Sequence, residues 1–164
     1  MIFLYSFASA KKENLTPTTI IMFKFFKKKK IEHLTIKCTV DSILINDQEI
    51  SFPTNYDTLI NVLGEPSRKI EKTNTYVFWD DHGVFYGSND VNNVLSIKFF
   101  QNKKDTSEYN TKNQFQGKLF LEDENITYEE FVTIPLGKAI IHRLGSESES
   151  RFGFSIGANL DYKG

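Results

Sequence analysis

The 164-residue chain balances 20 Lys and Arg against 21 Asp and Glu, a formal net charge of −1, and is 40% hydrophobic and 14% aromatic. That balance excludes wholesale disorder, because enough apolar side chain is present to build a core. It also argues against nucleic acid as a partner, since phosphate contacts need clustered Lys and Arg. The length suits one domain, or two small halves sharing a core, and no apolar run approaches the roughly 20 residues that a bilayer crossing needs.

Taken in order, the chain opens on a segment unlike the rest. Met1 to Phe7 is apolar and Ala8-Ser9-Ala10 has the small-x-small spacing of a signal-peptidase site, but no positive charge precedes the apolar run. Met22 begins a second start, with Phe23, Phe25 and Phe26 followed by Lys27 to Lys30. The expectation is that residues 1–30 are a leader, disordered or upstream of the natural start. Residues 31–164 then form a single cytoplasmic domain, with export the alternative if Met1 to Ala10 acts as a signal.

Leu34, Ile36, Cys38 and Val40 alternate with polar residues, as a half-buried strand does. The lone Cys38 excludes an intramolecular disulfide or a thiolate metal cluster, and within an apolar run it reads as an inert core thiol. Ile43-Leu44-Ile45 rising into Asn46-Asp47-Gln48-Glu49, with Ile50-Ser51-Phe52 returning, reads as a short hairpin.

A helix follows. Thr54 and Asp57 have capping-box spacing, and Tyr56, Leu59, Ile60 and Leu63 make one apolar stripe. Gly64 stands where a left-handed C′ residue belongs, and Pro66 forbids continuation. Gly64→Val is expected to cost about 1 kcal/mol or more, because a β-branched residue resists positive φ; an unchanged denaturation midpoint would contradict this.

Thr75 to Trp79 is rich in β-branched and aromatic residues, Asp80-Asp81-His82-Gly83 supplies turn chemistry, and Val84-Phe85-Tyr86 returns. Val94 to Phe100 is a further strand, and Gln101 to Gln114 is polar, either a mobile loop or the connection between halves.

Residues 43–52 then match 119–128, apolar for apolar and turn for turn. Pro135, the stripe Leu136, Ile140 and Leu144, and Gly145 suggest a second helix with His142 and Arg143 in its last turn. A final strand is expected around Phe152, Phe154 and Ile156. The fold expected is therefore α+β, with two hairpin–helix–strand repeats over about 34–100 and 115–157. They would form one antiparallel sheet with both helices on one face.

Leu59-Ile60-Asn61-Val62-Leu63-Gly64-Glu65-Pro66, followed by Tyr76-Val77-Phe78-Trp79, resembles the SmpA/OmlA-type envelope lipoproteins. The same small fold, duplicated, is similar to the β-lactamase-inhibitor protein. Trp79-Asp80-Asp81-His82-Gly83 and the run Phe115 to Leu119 more closely resemble uncharacterised cytosolic bacterial domain proteins, some of them like toxin-immunity proteins. Thr35-Ile36-Lys37 before Cys38 lacks the small residues of a lipobox. None of these resemblances implies a catalytic residue.

No nucleotide, zinc-protease or EF-hand motif is present. Asp80, Asp81 and His82 could bind a metal or relay a proton, or simply serve a turn. Trp79 fills the core or, with Tyr86, anchors a partner. Glu122 and Glu124 sit on a locally acidic hairpin that is either a solvated face or a surface steering a basic partner. The function expected is a non-enzymatic protein-binding module without cofactor, of which a toxin-immunity protein is the most concrete version. The alternatives are a structural or envelope-associated scaffold and, third, a metal-dependent enzyme. The partner surface would include Trp79, Asp80, Asp81, His82, Tyr86, Glu122 and Glu124.

Overall fold

The computed structural model describes residues 33–102, 107–146 and 152–163. The proposed leader, 1–30, lies outside them. Strands β1 (Thr35–Cys38), β2 (Ile43–Ile45), β3 (Gln48–Ile50), β8 (Lys118–Leu121) and β9 (Glu124–Asn125) form a five-stranded sheet in the order β3-β2-β1-β8-β9. The remaining strands are β4 (Arg68–Glu71), β5 (Thr75–Trp79), β6 (Val84–Ser88), β7 (Ser96–Phe100), β10 (Thr133–Leu136), β11 (Ala139–Leu144) and β12 (Gly153–Ala158). They make a seven-stranded sheet in the order β10-β11-β12-β7-β6-β5-β4. Helix α1 (Tyr56–Leu63) is the one α-helix among the described residues.

The α+β expectation is thereby overturned: 43% of the described residues are strand and 9% helical, in two sheets rather than one. Each repeat is split between the two sheets, and the second contains a misread element. Residues 133–144 are not a helix but a hairpin, with Leu136 paired to Ala139 across Gly137-Lys138. Gly137 takes positive φ (+56°) in that turn, as two-residue hairpin loops require. Pro135, read as a helix N-terminal residue, lies in an edge strand, where its missing N–H costs nothing. Leu136, Ile140 and Leu144, spaced by four, fit a helix stripe equally well. Ile141, however, is the residue of β11 that is fully buried, with His142 and Arg143 on either side of the strand rather than at a helix end.

The hairpin half of the repeat is present. Residues 43–50 and 119–126 form the β2–β3 and β8–β9 hairpins, placed on opposite sides of β1, antiparallel to it through β2 and parallel through β8. Ile43, Ile45 and Ile50 are buried, as are their counterparts Leu119 and Ile126.

Side chains alternate cleanly across the seven-stranded sheet. Val77, Trp79, Val84, Tyr86, Ile97, Phe99 and Phe154 enter a core shared with β1–β3, α1 and Leu119. Phe78, Phe85 and Phe100 form a second cluster, stacked at ring-centroid distances of 5.5 and 5.1 Å. Helix α1 adds Leu59, Val62 and Leu63 to the shared core. Its cap is Asn55, one residue beyond the expected Thr54: the Asn55 Oδ1 accepts from Thr58 N–H at 2.9 Å, while Thr54 is bridged to Val94. Trp79 is 1% exposed and donates its indole N–H to the Gly64 carbonyl at 2.6 Å, tying the helix exit to β5.

Residues 107–114, from the stretch expected to be a mobile loop or the connection between halves, form a fastened strap. Arg68 reaches the carbonyls of Glu108 (2.7 Å) and Asn110 (2.5 Å), Tyr109 packs edge-on to Tyr76, and Lys72 bonds Glu108 and Tyr109. Arg143 does similar work elsewhere. It lies over Phe131 at 4.2 Å, donates to Gln101 Oε1 at 2.8 Å and to the carbonyls of Ile126, Thr127 and Glu129, and burial lowers its pKa.

The core also sets a limit at alkaline pH. Burial pushes the Cys38 thiol from 9.0 to about 12 and the Tyr86 phenol from 10.0 to about 12. Both are acids whose pKa rises on folding. Their contribution to stability is complete below the unfolded values and is lost as pH climbs through the folded ones. The urea midpoint is therefore expected to fall between pH 9 and pH 12. A midpoint flat across that window, measured on the reduced protein, would contradict the burial of both groups.

Candidate functional site

The residues singled out in the sequence do not assemble into one site. Asp80, Asp81 and His82 form a single 3-10 turn closed by Gly83 in the left-handed conformation (φ +67°). Asp80 is 3% exposed and wholly engaged: Arg68 Nε donates to its Oδ2 at 2.8 Å, a second Arg68 nitrogen and the Lys112 amide donate to Oδ1 at 3.3 and 2.8 Å, and its own N–H donates to Ser67 Oγ. Its carboxylate is a structural anchor for the strap. Asp81 is exposed. His82 is half-buried, and burial lowers its pKa against the opposing pull of Asp81. Among the described residues no group of three or more His, Cys, Asp or Glu could hold a metal ion.

Trp79 and Tyr86, considered as partner anchors, are 1% and 0% exposed and present no surface. Glu122 and Glu124 are exposed, but on the β8–β9 hairpin of the other sheet. The expected composite surface therefore separates into an interior pair, a structural acid and two unrelated polar segments.

A different feature brings distant residues together. An open groove of about 410 Å³ is lined by residues 39–43, 49–52, 136–139 and Tyr162. One wall is the β1–β2 turn and the end of β3, an edge strand of the five-stranded sheet; the other is the β10–β11 turn beside β10, an edge strand of the seven-stranded sheet.

Both walls are built by local chemistry. The Thr39 hydroxyl accepts from the amides of Asp41 (3.2 Å) and Ser42 (3.0 Å), and Thr39 N–H donates to the Ser42 carbonyl, which fixes the turn that carries Asp41. Across the groove, Asn159 donates its side-chain amide to Gly137 O (2.9 Å) and its backbone N–H to Lys138 O (2.8 Å). The walls meet where a Cβ on Gly137 would lie 3.2 Å from the Val40 carbonyl.

The lining mixes charge and grease. Asp41, Glu49 and Lys138 are exposed, and none forms an ion pair among the described residues. Val40 and Tyr162 are 63% and 47% exposed, while Phe52, Ile43 and Ile50 are buried. Two carboxylates facing one ammonium leave the groove net negative, beside apolar surface that a partner could cover. The walls are almost a hundred residues apart in the chain, so no local sequence signal marks the groove.

The family model described as "Domain of unknown function (DUF7738)" matches residues 35–134, more than half of the chain. The chain belongs to this family. No curated protein and no solved structure matches it. The DUF7738 span takes in the entire five-stranded sheet, α1, β4–β7 and the groove wall that carries Asp41 and Glu49. Lys138 and Tyr162, on the other wall, lie beyond it. Among the described residues no helix is long and apolar enough to cross a membrane.

Proposed function

We propose that this DUF7738 chain is a non-enzymatic, cytoplasmic protein-binding module, in its most concrete form a bacterial toxin-immunity protein, which occludes a basic partner by surface complementarity. The observation that supports this reading is the open groove between two sheet edges, where Asp41 and Glu49 outnumber the single Lys138 beside the exposed Val40 and Tyr162. The one sequence constellation that suggested chemistry gives it little support as an enzyme, because Asp80 is fully occupied by Arg68 and the strap.

The test is a pull-down from the native cell with the tagged full chain, set against the Asp41→Lys/Glu49→Lys variant, at low and high salt. Both substitutions are on exposed residues, so the variant should fold. A single stoichiometric partner is expected, weakened at high salt, where the Debye length shrinks from about 10 Å to about 3 Å, and lost by the variant. Absence of any partner, in cells grown under several conditions, would overturn the module reading.

A further inference from the structure

The geometry points to a specific mode of capture: we infer that the groove binds an extended basic segment of the partner as an added strand along the free edge of β3. This rests on the protein-binding reading above and names the site and the chemistry of its occupant.

The first argument is the phase of the hydrogen-bond ladder. Asn46 and Asp47 both have positive φ (51° and 62°) and join Ile45 to Gln48 in a two-residue hairpin of the I′ kind. The closing pair of such a turn exchanges both hydrogen bonds, so the next pair, Leu44 and Glu49, does not. The bond from Asn46 N–H to Thr35 O (2.8 Å) fixes the same phase from the other side: Asn46, and with it Leu44, faces β1, while Ile43 and Ile45 face β3. Glu49 therefore turns its N–H and C=O away from β2, and by alternation Ser51 does so next. No backbone bond outside the β2 ladder engages either residue among the described residues, and both line the groove. Unpaired edge groups of this kind are a template for a further strand.

The second argument is charge. A strand laid beside Glu49 comes within reach of the two carboxylates and of the exposed Val40 and Tyr162. The fitting occupant alternates Lys or Arg with aliphatic side chains, one set toward Asp41 and Glu49, the other toward the apolar rim. A second copy of this chain fits poorly: a two-fold pairing of β3 with itself centred on Glu49 would set like charges opposite one another, which destabilises a strand pair.

The experiment measures amide hydrogen exchange in the full chain with an acetylated, amidated peptide Thr-Lys-Ile-Lys-Ile-Lys-Thr. Three controls accompany it: the peptide with Glu for each Lys, the peptide N-methylated at alternate residues, and the Asp41→Lys/Glu49→Lys chain. The basic peptide is expected to slow exchange at the Glu49 and Ser51 amides. The acidic and N-methylated peptides should not, and the charge-reversed chain should bind about tenfold more weakly. Unchanged exchange at both amides, or equal binding by the N-methylated peptide, would overturn strand addition. The two readings fail separately: a partner captured from the cell without this protection leaves the module reading standing and removes the β3 edge, whereas peptide protection with no cellular partner does the reverse.

Discussion

Asp80→Ala is expected to destabilise the protein by about 3 kcal/mol, read as a lowered urea midpoint at unchanged slope. The Asp80 side chain is 4% exposed and that of its partner Arg68 22%, so removing the carboxylate strands a half-desolvated guanidinium. It also removes the acceptor of the Lys112 amide and one end of the clasp that holds the strap over the Phe78–Phe85–Phe100 face. Arg68 lies 3.6 Å over the Phe78 ring and cannot retreat to water without uncovering it. The pair should be strongly coupled: Arg68→Ala/Asp80→Ala is expected to cost less than the sum of the single changes by about 1–3 kcal/mol. Additive losses would show that the strap is held by other contacts, such as Lys72 with Glu108 and Tyr109.

Gly83→Ala is expected to cost about as much, about 3 kcal/mol, for two independent reasons. Its φ of +67° is left-handed, where a Cβ meets its own backbone, and that Cβ would stand 2.2 Å from the Phe115 nitrogen. The obstacle is backbone, held by Phe115 N–H donating to the Phe100 carbonyl, so it cannot swing aside. Gly64 is the internal control. It also has positive φ (+80°), with ψ at −173°, a region that only glycine adopts readily, but nothing lies within 4 Å of an added Cβ, so Gly64→Ala should cost only the conformational term, about 1–3 kcal/mol. A Gly83→Ala loss of under about 1 kcal/mol, no more than its left-handed backbone alone would cost, would refute the close approach of residues 114–115 to the Asp80–Gly83 turn.

Local patterns were legible in the sequence where one physical signal dominated. The β1 alternation, the hairpin that follows it (though its return strand begins at Gln48, two residues before the expected Ile50), the helix over Tyr56–Leu63 and the strand pair around the 80–83 turn all follow from periodicity and turn chemistry. Trp79 in the core follows from its size. The hairpin over 133–144 was not legible, because apolar residues spaced by four fit a helix stripe and Pro135 is as much at home on a sheet edge as in a first helical turn. Two differences changed the fold class: the strands of 133–144 with β12 extend the seven-stranded sheet on the far side of β7, and each repeat's hairpin lies in a different sheet from the strands that follow it.

The site was less visible still. A buried Asp80 and an exposed Asp81 look alike as letters, and the partner that distinguishes them, Arg68, is twelve residues upstream. The groove depends on the β10–β11 turn reaching the Val40 carbonyl, a contact that no local window contains. What the sequence could have offered was the phase argument at β3: an Asn-Asp turn sets which residues of the returning strand face outward. That argument gains its meaning only once β3 is known to be an edge.

The most direct measurement is amide hydrogen exchange on the full chain alone and in complex with whatever stoichiometric partner it captures from its own cell. New protection concentrated at residues 39–52 and 136–139, with the β8–β9 hairpin and the Asp80–His82 turn unchanged, is the predicted result. Protection confined to Glu122–Glu124 or to residues 80–82, with Glu49 and Ser51 exchanging as in the free protein, would contradict the groove as the working surface of this protein.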